Sequence, residues 1–358
     1  MDESITLQYV LWENINPEGI DSLDIIDLQD SLLQLSIDFS SDAQTTSFQD
    51  ALEIYEISAV DTIKVTESFS NNSGLPYPMG AIRQAVRFGF DNSPGETSEY
   101  FQTDNGKVHY IDEGSENTDT VLMIHGEPSW GYLYRNMVTP LVENGKRIVV
   151  PDLPGFGKSS NVKSHDNIHS MANSILDCLK HKKIDKFYLL GHSMGGMIVQ
   201  EMAKMEGNKI TKLICYSTGP MGEMPDRFET IEQSRNNLKK IGLEITARNI
   251  TKTWFMLGEK AKYFDDCIQI GKDTSIEAAD NALVAIKNWN GVNSLKLIKN
   301  ETLIIWGDKD KSYNFKQIQI LKNNILNSSL ITFKGCAHNV HLEKPDEFNN
   351  SIKEFLNQ

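Results

Sequence analysis

From about residue 98 to the C-terminus, the sequence predicts an α/β fold in which a mostly parallel sheet carries helices on both faces. Short apolar runs such as TVLMIHG and KFYLLGHS alternate with stretches of helical spacing such as MGGMIVQEMAKME. Strands buried on both faces are continuously apolar, and their alternation with helices is typical of parallel sheets. Between about residues 220 and 298 no buried strand interrupts the helical pattern. This insertion predicts a helical cap over the sheet.

The elements follow from local signals along the chain. EYFQTDNGKVHYIDEG predicts a hairpin that turns at Asp104–Gly106, and SWGYLYRNMVTPLVENG predicts a helix that ends at Gly145. RIVVPDLPGFGKS predicts a buried strand followed by a Gly/Pro turn. Further along the chain, HSMANSILDCLKHKKI and MGGMIVQEMAKME predict helices, and KFYLLGHS between them predicts a strand. Three more strands are predicted at ITKLICYST, ETLIIWGD and SLITFKG, and each of the last two is followed by a helix.

The net charge of −14 is confined to one end of the chain. Residues 1–70 contain 15 of the 49 acidic residues and one of the 35 basic residues, so the remaining chain is balanced. The Ser-, Asn-, Gly- and Pro-rich stretch SNNSGLPYPMG follows this segment. We therefore expect an acidic segment over residues 1–70, a linker over 71–97 and a main domain over 98–358 with its cap at about 220–298.

Composition excludes several classes of protein. The acidic balance disfavours a nucleic-acid partner, and no window of about 18 apolar residues predicts a membrane span. The N-terminus lacks the basic region of a secretion signal. Four scattered cysteines are typical of reduced core thiols. We expect a cytoplasmic protein that acts on a small molecule without a metal or organic cofactor.

The pentapeptide GHSMG places Ser193 between a buried strand and a helix. A serine on such a sharp strand-to-helix turn is exposed for nucleophilic attack, and the helix N-terminus favours the negative charge that develops there. Gly191 and Gly195 supply the small residues that the tight turn requires. The alternative is a Gly-Ser turn without chemistry.

A serine nucleophile needs a base, and the base needs an orienting carboxylate. In this kind of sheet the three groups follow in the order Ser, acid, His, each just after a strand. Asp308 and Asp310 follow the strand ETLIIWG, and His338 follows SLITFKG. His125 and His192 precede the acid, and His341 lies at the start of a helix, so His338 is the expected base.

Residues 98–358 resemble the α/β-hydrolase superfamily. The matching stretches are HGEPSWGYLYR, PDLPGFGKS, GHSMGG, IIWGDKD and GCAHNVHLEKPDEF, in this order. The resemblance implies that Asp310 is the acid, with Asp308 as the alternative. It also implies an oxyanion hole formed by the backbone N–H groups of Glu127 and Met194.

HGEPSWGYLYR is most similar to the haloalkane dehalogenase and epoxide hydrolase branch, whose members use an aspartate nucleophile. With Ser193 and Met194 in place of the aspartate and the tryptophan that follows it in dehalogenases, both of those reactions are disfavoured. A serine would form an ether that water cannot release. Acyl transfer remains, on an ester or thioester of a small hydrophobic acyl group. The alternatives are a lactonase, a C–C bond hydrolase and a non-catalytic ligand-binding relative.

Large apolar residues in and near the cap are candidates for the substrate pocket. The alternative interpretation, equally consistent with the sequence, is that these residues fill the core of the cap. They are Trp130, Met221, Met224, Trp254, Phe255, Met256 and Trp289.

The acidic segment has a second resemblance. GIDSLD followed by an acidic stretch, and then TTSFQDAL, is similar to an acyl carrier protein. That resemblance implies helices, phosphopantetheine attachment at Ser22 and an acyl carrier or assembly-line partner, which would favour thioester substrates. The alternative is that DSLD caps an ordinary amphipathic helix.

Overall fold

The computed structural model describes residues 98–103, 105–223, 227–272 and 274–358, and the backbone of three strands within residues 4–39. The chain divides into two compact units, Met1–Thr97 and Ser98–Gln358.

The second unit is built on an eight-stranded sheet with the spatial order β11-β10-β9-β8-β6-β7-β5-β4. Strands β6 to β11 run parallel to one another, whereas β5 is antiparallel to both β4 and β7. This arrangement confirms the predicted α/β-hydrolase fold. The strands are β4 (Ser98–Thr103), β5 (Gly106–Glu113), β6 (Asp119–Ile124), β7 (Lys146–Pro151), β8 (Phe187–His192), β9 (Ile210–Tyr216), β10 (Glu301–Gly307) and β11 (Ser328–Phe333).

Helices cover both faces of the sheet because successive strand residues point to opposite sides. In β8, Leu189 packs into one apolar cluster and Leu190 into the other. The Leu189 cluster contains residues of α2 (Ile168–His181), α3 (Met194–Glu206) and α7 (Phe315–Asn324), and the Leu190 cluster contains residues of α1 (Arg135–Val142) and α9 (Pro345–Asn357). A short helix, α8 (Val340–Glu343), precedes α9.

The segment between β9 and β10 contains helices and no extended strand among its described residues. They are α4 (Ile231–Thr251), α5 (Phe264–Lys272) and α6 (Ile276–Asn288). Thr230 begins α4 with a reciprocal cap, in which its hydroxyl accepts the Gln233 N–H and the Gln233 side chain accepts the Thr230 N–H. Positive φ at Gly242 (81°) bends α4. Residues of all three helices join the Leu189 cluster, so this segment packs on the same face as α2 and α3.

In the first unit, the described backbone forms a three-stranded antiparallel sheet of order β1-β3-β2. Its strands are β1 (Ser4–Leu7), β2 (Ile20–Gln29) and β3 (Leu32–Phe39). The carrier-protein resemblance is not supported, because Ser22 lies in β2, paired with Asp38, where the resemblance implies the start of a helix. The alternating pattern LQLSIDF has the period of a strand, and that signal prevails over the DSL motif. The TTSFQDAL stretch lies outside the described residues.

Within the described part of the chain, no helix has the length and apolar character needed to span a bilayer.

Candidate active site

Ser193 lies on the turn between β8 and α3 with φ 56° and ψ −119°. A non-glycine residue in this region of φ/ψ space is strained and persists only where its surroundings hold it. Its N–H donates to the carbonyl oxygen of Tyr216 at 3.0 Å, and its carbonyl accepts the Thr218 hydroxyl at 2.7 Å. The end of β9 therefore supports the turn and keeps the side chain partly exposed.

The glycines around Ser193 are required by close backbone approach. A β-carbon at Gly191 would lie 2.3 Å from the carbonyl oxygen of Gly195, and one at Gly195 would lie 2.1 Å from that of Ile124. Either contact is too short for any side chain, which agrees with the reading of GHSMG as a tight turn.

Asp310 follows β10, and its carboxylate is directed at His338. Oδ2 of Asp310 lies 2.9 Å from Nδ1 of His338, while Oδ1 accepts the N–H groups of Ser312 at 2.7 Å and Tyr313 at 3.2 Å. The structure thus brings together two of the three residues expected in a triad. Asp308, the alternative acid, accepts the Gly335 N–H at 2.7 Å and braces the turn after β11.

His338 is buried on the loop after β11. Its N–H and that of Asn339 both donate to the carbonyl oxygen of Trp254 at 3.1 Å, which joins the loop to the cap. The ring of Trp254 also lies 5.8 Å from the His338 ring. The cap therefore helps to hold the expected base, a contact that the sequence alone did not reveal.

A buried polar network lies beneath the site. Nδ1 of His341 lies 2.8 Å from the hydroxyl of Tyr216, and Nε2 of His341 lies 3.3 Å from the carbonyl oxygen of Leu133. The Tyr216 hydroxyl and Nε2 of His192 each lie 3.3 Å from the carbonyl oxygen of His338. Burial lowers the pKa of His341 to about 3 and holds that of His192 well below its usual range. Both rings are neutral at pH 7, so His341 donates from Nε2 to Leu133 and accepts from Tyr216 at Nδ1.

His125 has a bracing role. Its Nε2 accepts the Leu153 N–H at 2.9 Å and its Nδ1 lies 2.9 Å from the carbonyl oxygen of Gly126. Burial lowers the pKa of His125, so the neutral ring can accept from one residue and donate to the other. This arrangement holds the HGEP turn on which Glu127 lies.

The two expected oxyanion donors flank Ser193. Met194 is the first residue of α3, whose N-terminal N–H groups carry partial positive charge. Glu127 follows Gly126, which is so close to the nucleophile that a β-carbon there would lie 2.8 Å from Cβ of Ser193. Both positions are therefore suited to donate to an oxyanion formed at Ser193.

The candidate pocket residues differ in their surroundings. Trp254 is buried against His338, whereas the ring of Trp130 stacks on Tyr132 at 5.3 Å. Met221 pairs with Asn290 in an isolated β-bridge, and Trp289 hydrogen-bonds to Glu201. Phe255 is buried, Met256 is exposed and Met224 lies outside the described residues. Of these residues, Trp254 contacts the Ser193, Asp310 and His338 group through the His338 ring.

Sequence reasoning missed two polar residues at the site, of which Tyr313 contacts Ser193 and Arg227 interacts with Tyr313 through its charge. The ring of Tyr313 stacks on that of His338 at 5.8 Å, and the hydroxyl of Tyr313 hydrogen-bonds with the Ser193 side chain. Arg227 is a largely buried cation whose charge acts on Tyr313 and Glu127. The position of Tyr313, three residues after Asp310, was the one available signal.

Comparisons with known proteins agree with this architecture. The alpha/beta hydrolase fold family matches residues 119–345. The chain is 27% identical to 2-hydroxy-6-oxononadienedioate/2-hydroxy-6-oxononatrienedioate hydrolase 1 of Pseudomonas putida over 286 residues, which cover 73% of this chain and 97% of that protein. It is 40% identical to a haloalkane dehalogenase of Psychrobacter cryohalolentis over 153 residues, 41% of this chain and 50% of that protein. An esterase from Exiguobacterium antarcticum has a similar fold, with a TM-score of 0.68, 22% identity, and coverage of 73% of this chain and 100% of the esterase.

Proposed function

The chain belongs to the alpha/beta hydrolase fold family, and from that premise we propose that it is a serine hydrolase that cleaves a carboxylic ester of a small acyl group through Ser193, His338 and Asp310. The observation that carries the proposal is the 2.9 Å contact between Asp310 Oδ2 and His338 Nδ1. This contact leaves Nε2 as the ring nitrogen that can take a proton from Ser193.

In the first half of the reaction, Ser193 Oγ attacks the ester carbonyl and its proton passes to Nε2 of His338. The negative charge on the former carbonyl oxygen is stabilised by the N–H groups of Glu127 and Met194. The C–O bond to the alcohol then breaks, and the alcohol leaves with the proton held by His338. An acyl ester of Ser193 remains.

In the second half, His338 takes a proton from water as the water oxygen attacks the acyl ester. The same N–H groups stabilise the second intermediate. Its collapse breaks the bond to Oγ, returns the proton to Ser193 and releases the carboxylic acid. Each proton and bond is accounted for by these residues and water.

Similarity to a haloalkane dehalogenase does not imply that this chain releases halide from haloalkanes. If Ser193 Oγ displaced a halide, the product would be an alkyl ether without a carbonyl carbon for water to attack. The enzyme would stop after one turnover. Steady release of halide from a haloalkane would contradict the proposal.

The preference for thioesters rested on the carrier-protein resemblance. Because that resemblance is not supported, nothing favours thioesters over esters. The relative from Pseudomonas putida, named as a hydrolase of a hydroxy-oxo-dienedioate, supports a second candidate in which the bond cleaved is carbon–carbon. Ser193 and His338 could serve there as well. Comparing product formation from such a compound with that from a matched ester would decide between them.

The test is hydrolysis of p-nitrophenyl butyrate by the wild type and by Ser193→Ala, with labelling by a fluorophosphonate detected as a mass increase. Ser193→Ala should lose turnover by about a thousandfold or more and should not be labelled. The control is Ser160→Ala, since Ser160 is a partly exposed serine on the turn after β7. Retention of most activity in Ser193→Ala, or labelling of another serine, would refute the assignment.

A further inference from the structure

Acyl transfer by Ser193, His338 and Asp310 leaves three polar side chains near the nucleophile without a role. They are Glu127, Arg227 and Tyr313. The charges of Arg227 and Glu127 both act on the Tyr313 hydroxyl, which itself hydrogen-bonds with Ser193. Tyr313 therefore contacts the serine, and Arg227 and Glu127 are close enough to Tyr313 to influence it through their charges. We call these three side chains the donor wall.

Arg227 is anchored from one side. Its Nη1 donates to the carbonyl oxygen of Glu229 at 2.8 Å and to the Ser234 hydroxyl at 3.3 Å, and its guanidinium lies 4.5 Å over the Phe228 ring. The Phe228 N–H donates to the carbonyl oxygen of Lys311 at 3.3 Å, which ties this segment to the loop of Asp310. Among the described residues, Nε and Nη2 of Arg227 meet no acceptor. An anchored guanidinium with open N–H groups can bind a planar anion bidentately.

Glu127 follows Gly126, the residue that lies directly against the nucleophile. Its side chain keeps part of its surface open, and it accepts no hydrogen bond from the described residues. Burial raises the pKa of Glu127 to about 8, and the charge of Arg227 opposes this rise. At pH 7 the carboxyl group is mostly protonated and can donate a hydrogen bond.

Tyr313 is also a donor at neutral pH. Burial raises its pKa to about 12, while the hydrogen bond with Ser193 and the charge of Arg227 work in the opposite direction. The hydroxyl therefore remains protonated throughout the working range of pH.

The other carboxylates near Arg227 have donors of their own. Asp310 accepts from the backbone and faces His338, and Glu229 accepts from Ser234 and from Asn237. The donor wall thus presents a guanidinium, a protonated acid and a phenol. A group that only accepts hydrogen bonds and carries negative charge satisfies all three, and a carboxylate is the simplest such group.

We propose that Glu127, Arg227 and Tyr313 bind a free carboxylate of the substrate, so that the preferred substrate is an ester whose acyl chain ends in a carboxylate, a half-ester of a dicarboxylic acid. This inference rests on the proposed esterase function. The carboxylate is bound and not transformed, and the ester carbonyl reacts as described above.

Binding of the carboxylate depends on the protonation of Glu127. Above pH 8, Glu127 becomes an anion that faces the bound carboxylate and competes with it for Arg227. Of the groups that act on Glu127, Arg227 stays charged and Tyr313 stays neutral over this range. Preference for the charged substrate should therefore decline above pH 8.

Two esters of equal chain length provide the test: mono-p-nitrophenyl adipate, which ends in a carboxylate, and p-nitrophenyl hexanoate, which ends in a methyl group. At pH 7 the wild type should favour the adipate by at least about tenfold in kcat/KM, which corresponds to about 1.4 kcal/mol. Arg227→Met should reduce kcat/KM for the adipate by about a hundredfold, mainly through KM, and should change the hexanoate value by less than about threefold. Arg248→Met, at an exposed arginine of α4, is the matched control.

The pH dependence separates the role of Glu127 from general effects on the site. The adipate-to-hexanoate ratio should fall above pH 8 in the wild type and stay level to pH 9.5 in Glu127→Gln. The terminal carboxyl of adipate is ionised throughout, so the change cannot come from the substrate. An identical fall in Glu127→Gln would overturn the role assigned to Glu127.

The results distinguish the absence of a carboxylate site from the absence of esterase activity. No preference for adipate, or an equal loss on both esters in Arg227→Met, would refute the carboxylate site while leaving the esterase intact. If neither ester is hydrolysed, binding of monomethyl adipate to Ser193→Ala, measured by calorimetry, still tests the site. Binding that Arg227→Met abolishes supports it, and no binding refutes it.

Discussion

Oδ2 of Asp310 lies 2.9 Å from Nδ1 of His338, and the other oxygen of the same carboxylate accepts two backbone N–H groups. The carboxylate is thus held in one orientation by its own loop. This orientation presents one oxygen to the ring and fixes the tautomer in which Nε2 is free to act as a base.

We expect Asp310→Asn to lower kcat for p-nitrophenyl butyrate by about a thousandfold or more, because the amide can donate to Nδ1 and favour the wrong tautomer. Asp308→Asn should lower kcat by less than about tenfold, since Asp308 accepts the Gly335 N–H and does not reach His338. Steady-state kinetics of the two variants, with circular dichroism to check folding, measure the contrast. A larger loss at position 308 would reverse the assignment of the acid.

The sequence predicted the sheet and the helical segment between β9 and β10, and it predicted that Ser193, Asp310 and His338 each follow a strand, because those strands have a clear apolar pattern. It did not predict Tyr313 or Arg227, since the contact of Tyr313 with Ser193 and the effect of the Arg227 charge on Tyr313 depend on how distant segments pack. It failed at Ser22, where a short motif outweighed the period-two pattern of the neighbouring residues. Local sequence patterns therefore predict the strands and helices, whereas contacts between distant loops are set by the fold and leave no local pattern in the sequence.

Gly195→Ala tests the nucleophile turn. The added β-carbon would lie 2.1 Å from the carbonyl oxygen of Ile124, which cannot move without disturbing β6. We expect a loss of unfolding free energy of about 3 kcal/mol or an insoluble protein. Gly207→Ala is the control, because Gly207 has a helical φ of −54° and its β-carbon would meet only Asn300 Oδ1, at 3.3 Å. Urea denaturation that showed equal effects at both positions would contradict the close approach described here.

Tyr216→Phe tests the polar network beneath His338. The substitution leaves the buried Nδ1 of His341 and its backbone N–H without their partner. An unsatisfied buried group costs about 1–3 kcal/mol, so the unfolding free energy should fall by that order. Activity should fall as well, because the Tyr216 hydroxyl also contacts the His338 carbonyl. Tyr100→Phe, at an exposed tyrosine, should change neither quantity.

His341 should make the protein sensitive to acid. Burial lowers its pKa from 6.5 to about 3, and the charges of Arg135 and His338 act in the same direction. Between pH 6.5 and pH 3 the unfolded chain binds a proton at His341 and the folded chain does not. Stability from this residue is therefore complete above pH 6.5 and declines as pH falls, by at most about 1.4 kcal/mol per pH unit.

His341→Asn removes the titrating group and retains an amide that can accept from Tyr216. Carboxylates and the buried rings of His125 and His192, whose pKa values are also lowered, contribute to acid denaturation in both proteins, so the quantity to compare is the difference in slope. Urea denaturation between pH 6.5 and pH 4 should give a shallower loss of unfolding free energy in His341→Asn than in the wild type, although the variant is less stable at pH 7. The same substitution at exposed His181 should leave the wild-type slope unchanged. Parallel slopes for His341→Asn and the wild type would mean that His341 takes up its proton in the folded protein, and the neutral network beneath His338 would then have to be redrawn with a charged ring.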